Sequence, residues 1–237
     1  MPASRTDARR WTRDGTTLLL AAAALDEAAL GAPSALPGWT RRHLLAHVAA
    51  NAGALGNLVH WAATGEPTPM YSSPADRAAG IERGAQLPAD ELGAWLRRSA
   101  RGLDDAMTAL SDRQWQAPVL TAQGRTVPAT EVPWLRAREV YVHGVDLTTG
   151  LSFVELPAGF CAALCDEVVA KRASAQPPGP ALVLEAVGTS RRWDLLGDGE
   201  AVTLSGPLAE ITAYLTGRAH KLTTAGGEPA PVLGPWL

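Results

Sequence analysis

Apolar residues recur every three or four positions through the first half of the chain, which is the spacing of amphipathic helices. Residues 9–30 form an alanine-rich pattern that predicts one long helix. A second helix is expected to begin after Thr40, a good N-cap residue, and a third to cover residues 89–110. A fourth is expected to begin at Thr130 and to end near Gly150. Four helices with one long crossover indicate a bundle that can hold a metal through ligands from facing helices.

Two stretches between these helices lack the three-to-four-residue spacing of apolar positions that predicts a long helix. The polar, proline-containing segment 65–88 predicts a connection with a short helix near residues 76–83, and we expect residues 66–88 to border a pocket. Residues 114–125 carry Trp115, Val119 and Leu120 and a turn at Gln123-Gly124, which favours extended structure over a helix.

The pattern changes after Gly150, where a helix at residues 157–172 is followed by a proline-rich linker and alternating apolar runs. The glycine-containing groups 188–190 and 197–199 are placed to turn successive strands into hairpins, and a last helix follows Gly206. We therefore predict an α+β protein in which residues 1–150 form a helical bundle and residues 151–237 form a small α+β domain.

Composition narrows the classes of partner. The 237 residues are 46% hydrophobic, enough for a sizeable core, and 21 basic and 24 acidic side chains give a formal charge of -3. That balance argues against nucleic acid as a partner. The most apolar run, residues 17–24, is too short to cross a bilayer, and the N-terminus lacks a secretory pattern. We expect a cytoplasmic protein with no membrane contact, and a monomer.

The two cysteines, Cys161 and Cys165, lie one helical turn apart in an apolar pattern. A pair of this kind does not indicate a disulfide-dependent fold. We expect both to be small buried core residues.

Three residues stand out as metal ligands. Glu139 and His143 are four apart on one predicted helix and therefore share a face, and His47 lies among apolar residues of another helix. Together they would form a set of two histidines and one carboxylate that leaves coordination positions open. The alternative is that the histidines are ordinary buried or exposed side chains and that Glu139 forms an ion pair with Arg136 or Arg138.

Other polar residues receive weaker assignments. Asp146, three positions after His143, has the spacing to hydrogen-bond that ring, although its pattern is more typical of a helix-surface carboxylate. We assign no role to His43, His60 or His220, and the arginines beside His43 indicate a solvated setting.

The stretches GWTRRHLLAHVAANA and REVYVHGVDLTTG resemble the mycothiol-dependent maleylpyruvate isomerase family, whose N-terminal half is a DinB-like four-helix bundle. The resemblance implies that His47, Glu139 and His143 bind a divalent metal, normally zinc. It also implies a small α+β C-terminal domain with an arginine needed for activity. The segment YLTGRAH is similar to that region, and it places the arginine at Arg218.

The resemblance further implies mycothiol as the thiol cofactor and a small electrophilic molecule as substrate. A metal-bound thiol is deprotonated, so it can add to a conjugated cis double bond, allow rotation and leave again as the trans isomer forms. Arg218 would bind a substrate carboxylate or the developing enolate. The alternatives are a mycothiol S-transferase, an iron enzyme or a metal-dependent hydrolase, and a non-catalytic metal-containing binding protein.

Overall fold

The computed structural model describes residues 3–174 and 179–236, and it divides into two compact units, Ala3–Leu151 and the part from Ser152 onward. A helical bundle followed by a region with a small sheet confirms the predicted α+β class. The helices of the first unit are α1 (Arg5–Ala22), α2 (Glu27–Gly31), α3 (Arg41–Thr64), α4 (Pro74–Ala85), α5 (Ala89–Ala109), α6 (Asp112–Trp115) and α7 (Val132–Asp146).

The bundle is built from the four long helices α1, α3, α5 and α7. Helix α1 packs along α7, and α3 packs against both α5 and α7. Apolar side chains from these helices are fully buried, including Leu19, Leu55, Leu96 and Val140. The amphipathic periodicity of the sequence thus buries one face of each helix, with Leu55 in one apolar cluster and Leu19, Leu96 and Val140 in another.

The predicted helix at residues 9–30 is divided in two. Helix α1 ends at Ala22, and a second short helix begins after Asp26, whose carboxylate accepts a hydrogen bond from the backbone N–H of Ala29 at 2.8 Å. An aspartate that caps a new helix competes with continuation of the first one. The sequence pattern alone did not show this break.

Helix α3 begins and ends as expected. Thr40 is its N-cap, in a capping box with His43, and Gly65 ends the helix with a φ of 81°. That conformation is left-handed, which glycine adopts without steric cost. Helix α3 therefore holds His47 in the middle of a long, well-bounded element.

The connections between helices also contain regular structure. Segment 65–88 contains α4, which is longer than the predicted helix. The region predicted as extended begins with the one-turn α6 and continues as the antiparallel hairpin of β1 (Pro118–Leu120) and β2 (Thr126–Pro128). A short 3-10 turn then leads into α7, which ends at Asp146.

The described part of the second unit contains two helices and a three-stranded sheet. Its elements are α8 (Ala158–Ala173), β3 (Pro180–Ala186), β4 (Arg192–Leu195), β5 (Asp198–Gly206) and α9 (Leu208–Leu215). The sheet order is β4-β3-β5, with β4 antiparallel and β5 parallel to β3. Residues 175–178 of the predicted linker lie outside the described residues.

One of the two predicted hairpins is correct. Gly188, with a φ of 80°, lies in the turn between β3 and β4, but β4 and β5 do not pair. At Gly197 the chain passes so close to the start of β3 that an added Cβ would lie 2.1 Å from the carbonyl oxygen of Gly179. This glycine permits the close crossing that brings β5 to the opposite edge of β3.

Two further results concern the cysteines and the length and hydropathy of the helices. Cys161 and Cys165 are both buried in α8, at 2% and 0% exposure, which confirms the core assignment. Among the described residues, no helix is both long and apolar enough to pass through a membrane.

Candidate metal centre

Helices α3 and α7 bring the three predicted ligands together. The Nε2 atom of His47 lies 3.0 Å from Oε2 of Glu139, and Nε2 of His143 lies 3.4 Å from the same oxygen. Glu139 and His143 are one helical turn apart on α7, so their side chains extend from one face towards α3. The side chains are only 7%, 20% and 15% exposed for His47, Glu139 and His143.

This arrangement fits a divalent cation. The ligand atoms of His47, Glu139 and His143 all lie within 4.8 Å of one another. In a tetrahedral zinc site, ligand bonds of about 2.0–2.2 Å place neighbouring ligand atoms roughly 3.3–3.6 Å apart. Two of the contacts in the cluster are already close to that spacing. Two imidazoles and one carboxylate are also the donor set of several catalytic zinc sites, in which three protein ligands leave a position for solvent or substrate.

Asp146 lies behind His143. Its Oδ2 atom is 2.9 Å from Nδ1 of His143, and the carboxylate has no exposed surface. The interpretation of Asp146 as a helix-surface carboxylate is therefore wrong, because α7 is covered on this side as well. The contact keeps a proton on Nδ1 and turns Nε2 towards the cluster, an arrangement common for metal-binding histidines.

His47 has different neighbours. Nη2 of Arg77, from α4, lies 3.3 Å from Nδ1 of His47, and the ring of Trp39 packs edge-on against the imidazole at 5.5 Å. Within segment 66–88, Arg77 thus contacts the cluster directly, and the centroid of the Tyr71 ring lies 5.8 Å from the Arg77 guanidinium carbon. The sequence contained no motif that singled out either residue.

A second arginine is buried close by on α7. Arg136 is 1% exposed, and its Nη1 donates to the backbone oxygen of Val48 at 2.7 Å and to Oδ1 of Asn51 at 2.9 Å. Both acceptors are neutral, and among the described residues Nη2 has no hydrogen-bond partner. The Nη1 atom of Arg136 therefore does not form the ion pair with Glu139 that was considered from the sequence. The sequence pointed to Arg136 only through its position three residues before Glu139.

Burial and mutual contacts set the charges of the cluster. Burial alone would raise the pKa of Glu139, but hydrogen bonds from His143 and His47 hold it well below its usual range. Burial lowers the pKa of His47. Burial would also lower the pKa of His143, but hydrogen bonds to Asp146 and Glu139 raise it to about 9. Without a cation, the cluster therefore holds an ionised Glu139, a charged His143 and a neutral His47 at neutral pH.

Arg136 keeps its charge under the same conditions. Burial lowers the pKa of its guanidinium to about 10, and the charge of Glu139 opposes that shift. The group therefore stays cationic at neutral pH and contributes a fixed positive charge beside the cluster.

The other residues considered from the sequence have the following surroundings. Arg218 follows α9 in the second unit, where it is half-buried and its Nη1 donates to the backbone oxygen of Thr216. His43 serves as a capping residue of α3 and has Nε2 3.5 Å from Glu82, and His60 is exposed. His220 packs against the ring of Tyr214 with centroids 4.9 Å apart. The role of Arg218 stays a prediction.

Comparisons with a family model and with solved structures point to the same family. The family model described as the mycothiol maleylpyruvate isomerase N-terminal domain matches residues 6–148. A crystal structure of the mycothiol-dependent maleylpyruvate isomerase is 40% identical, with a TM-score of 0.92 over 98% of this chain and 97% of that chain. A mutant of that isomerase, in which a histidine is replaced by alanine, is also 40% identical, with a TM-score of 0.91 over the same shares.

A more distant likeness concerns the fold alone. YfiT from Bacillus subtilis, described as a probable metal-dependent hydrolase with an unusual four-helix bundle topology, is 17% identical with a TM-score of 0.51. The match covers 61% of this chain and 83% of YfiT. A search of curated proteins found no match to the chain.

Proposed function

Because the chain belongs to the mycothiol maleylpyruvate isomerase family, we propose that it is a metal-dependent enzyme that uses mycothiol to isomerise a conjugated cis double bond to trans. The observation that carries the proposal is the convergence of Nε2 of His47, Nε2 of His143 and Oε2 of Glu139 from two helices. The relative of known structure is itself described as mycothiol-dependent. The substrate is a small electrophile of the maleylpyruvate type.

His47, Glu139 and His143 are the residues that would hold the cation, and zinc suits their donor atoms. When bound, a divalent cation deprotonates a coordinated thiol and so supplies a nucleophile at neutral pH. The low pKa of Glu139 keeps the carboxylate ionised and ready to bind. Asp146 orients His143 so that its Nε2 faces the cation.

The chain's own cysteines are poor candidates for that thiol. Burial raises the pKa of Cys161 to about 11 and that of Cys165 to about 12. Both also belong to α8, whereas the three ligands belong to α3 and α7. A small-molecule thiol therefore fits the site better. The same requirement for a reduced thiol supports a cytoplasmic location.

The direct test incubates the zinc-loaded protein with mycothiol and maleylpyruvate while both the trans product and the free thiol are measured. We expect product to form with no net loss of thiol. His47→Ala should abolish zinc binding and turnover together, whereas His60→Ala, an exposed histidine on the same helix, should leave both unchanged. Turnover by a zinc-free His47→Ala protein would refute the site.

The stoichiometry of the thiol separates the two nearest functions. An isomerase regenerates the thiol in each cycle, whereas an S-transferase consumes one thiol for each electrophile. Loss of thiol in step with product would therefore move the function to the transferase while keeping the metal centre.

Arg218 is the proposed catalytic residue outside the metal cluster. We propose that its guanidinium binds a carboxylate or developing enolate of the substrate, a task suited to a permanently charged fork. Arg218→Ala should lower turnover strongly without changing zinc content. Lys221→Ala, an exposed cation nearby in the sequence, is the control. Unchanged turnover in Arg218→Ala would contradict this role.

A further inference from the structure

The two histidines of the cluster differ in what their outer nitrogens contact. Nδ1 of His143 faces Asp146, a carboxylate that accepts hydrogen bonds. Nδ1 of His47 instead faces Nη2 of Arg77 at 3.3 Å. A guanidinium has N–H donors and no acceptor, so Nδ1 of His47 must carry a lone pair in this arrangement. Its proton therefore sits on Nε2, which donates to Oε2 of Glu139 at 3.0 Å.

A cation at the cluster requires the opposite tautomer of His47. Both histidines present Nε2 to Glu139, so a cation shared with that carboxylate takes the Nε2 lone pair of His47. A neutral imidazole carries one proton, which then has to occupy Nδ1. There it would meet an N–H of Arg77, and two donors cannot form a hydrogen bond. The contact between Arg77 and His47 is therefore incompatible with a loaded site in which the ring is neutral.

Arg77 has a second neighbour, Tyr71, beside which its side chain can stay when the contact with His47 is lost. Its guanidinium already lies over the ring of Tyr71, 5.8 Å from the centroid, and α4 anchors it beside the site. His47 engages only Nη2 of a group that carries five N–H donors. Once the contact with His47 is lost, the guanidinium stays beside Tyr71 and its Nη2 donors are available to another acceptor.

The surroundings favour an anion at that position. Arg136 contributes a buried positive charge. Its Nη1 donates to neutral oxygens, and its Nη2 has no hydrogen-bond partner in the part of the chain that the structure describes. A buried charge whose hydrogen bonds are made to neutral oxygens is costly, and an incoming carboxylate would offset part of the cost that Glu139 does not. With a divalent cation bound, Arg77 and Arg136 add two more positive charges, against which Glu139 and Asp146 supply two negative charges, so positive charge remains in excess.

We propose that loading of the cation switches the tautomer of His47, releases Arg77, and makes its guanidinium a binding group for a carboxylate of the substrate. This rests on the metal centre of the proposed function and adds a residue that nothing in the family resemblance assigns. The consequence is an ordered site, in which the carboxylate is bound well only after the cation. A carboxylate-bearing electrophile is the class of substrate that uses it.

The first test reads the tautomer directly. Long-range 1H–15N NMR of His47, with and without one equivalent of zinc, identifies which ring nitrogen carries the proton. We expect protonation at Nε2 in the metal-free protein and at Nδ1 in the zinc-loaded protein. An unprotonated Nδ1 in the loaded protein would overturn the proposal, and this test needs no variant of Arg77.

The second test measures binding of maleate, a cis-dicarboxylate, by calorimetry. In the zinc-loaded protein, Arg77→Gln should weaken maleate binding about tenfold or more, the usual worth of a hydrogen-bonded charge pair. Arg83→Gln, an exposed arginine on the same helix, should bind as the wild type does. In the metal-free proteins, wild type and Arg77→Gln should bind maleate equally weakly, because Arg77 is then held by His47.

The outcomes separate this inference from the proposed function. Equal maleate affinity of zinc-loaded wild type and Arg77→Gln would overturn the role of Arg77 alone, because zinc binding and turnover do not depend on it in the first proposal. Failure of the wild type to bind zinc would overturn both. Arg77→Lys keeps the charge without the fork, and an affinity between those of the wild type and Arg77→Gln would support the guanidinium as the binding group.

Discussion

The Nδ1 atom of His143 lies 2.9 Å from the Oδ2 atom of Asp146, a carboxylate three residues further along α7 with no exposed surface. A buried carboxylate needs a partner, and this one is satisfied in part by the imidazole that faces Glu139 with its other nitrogen. The pair therefore links the stability of the end of α7 to the geometry of the candidate metal centre.

Replacement of this carboxylate should weaken metal binding. In Asp146→Asn the shape is kept, but the charge that favours the metal-binding tautomer of His143 is lost. We expect zinc affinity to fall roughly ten- to a hundredfold, the usual effect of removing such a partner. Competition with a chelating dye measures this affinity. Asp105→Asn, an exposed aspartate on α5, serves as the control, and a change of less than twofold in Asp146→Asn would contradict the assigned role.

Zinc binding should release a proton. His143 is charged in the metal-free protein because its pKa is raised to about 9 from 6.5, and its Nε2 must lose a proton before it can bind a cation. Between pH 7 and about 9 the affinity should therefore rise about tenfold per pH unit, and it should level off above the pKa of His143.

Calorimetry in two buffers with different ionisation enthalpies measures the release. About one proton per zinc is expected at pH 7.5, since the pKa of His47 is lowered and that ring is already neutral. An affinity that does not vary between pH 7 and 8.5 would show that His143 is neutral in the metal-free protein.

The packing of α1 against α7 depends on a small residue. A Cβ added at Gly15 would lie 2.6 Å from Cγ2 of Val140 and 3.1 Å from the ring of Tyr141, next to the ligand Glu139. Gly15→Ala should therefore lower the free energy of unfolding by about 1–3 kcal/mol through overpacking.

Gly102→Ala is the matched control, because this glycine lies in α5 and a Cβ there meets nothing within 4 Å. It should raise the free energy of unfolding by roughly 0.4–1 kcal/mol, since alanine restricts the unfolded chain. Urea unfolding of both variants provides the comparison. Equal changes in the free energy of unfolding would show that α1 and α7 accommodate the added methyl group without loss of stability.

The two cysteines should be inert in the folded protein. Burial raises the pKa of Cys161 to about 11 and that of Cys165 to about 12, so almost no thiolate is present at pH 8. Ellman's reagent should therefore detect both thiols only after unfolding in guanidinium. Rapid labelling of the native protein would show that α8 opens readily.

Much of this protein follows from local sequence patterns. Periodicity of 3.6 residues located the long helices, and the cap residue Thr40 located the start of α3. The four-residue spacing of Glu139 and His143 placed both on one face, because that relation is a property of a single helix. These predictions required no knowledge of which elements pack together.

The tertiary structure decided the relations between elements. The burial of Asp146, the contact of Arg77 with His47 and the neutral partners of Arg136 all depend on how the helices are rotated and which neighbours cover them. The position of β5 beside β3 likewise depends on a close crossing at Gly197. A helix or strand pattern specifies what one element can expose, whereas long-range packing determines what that surface meets.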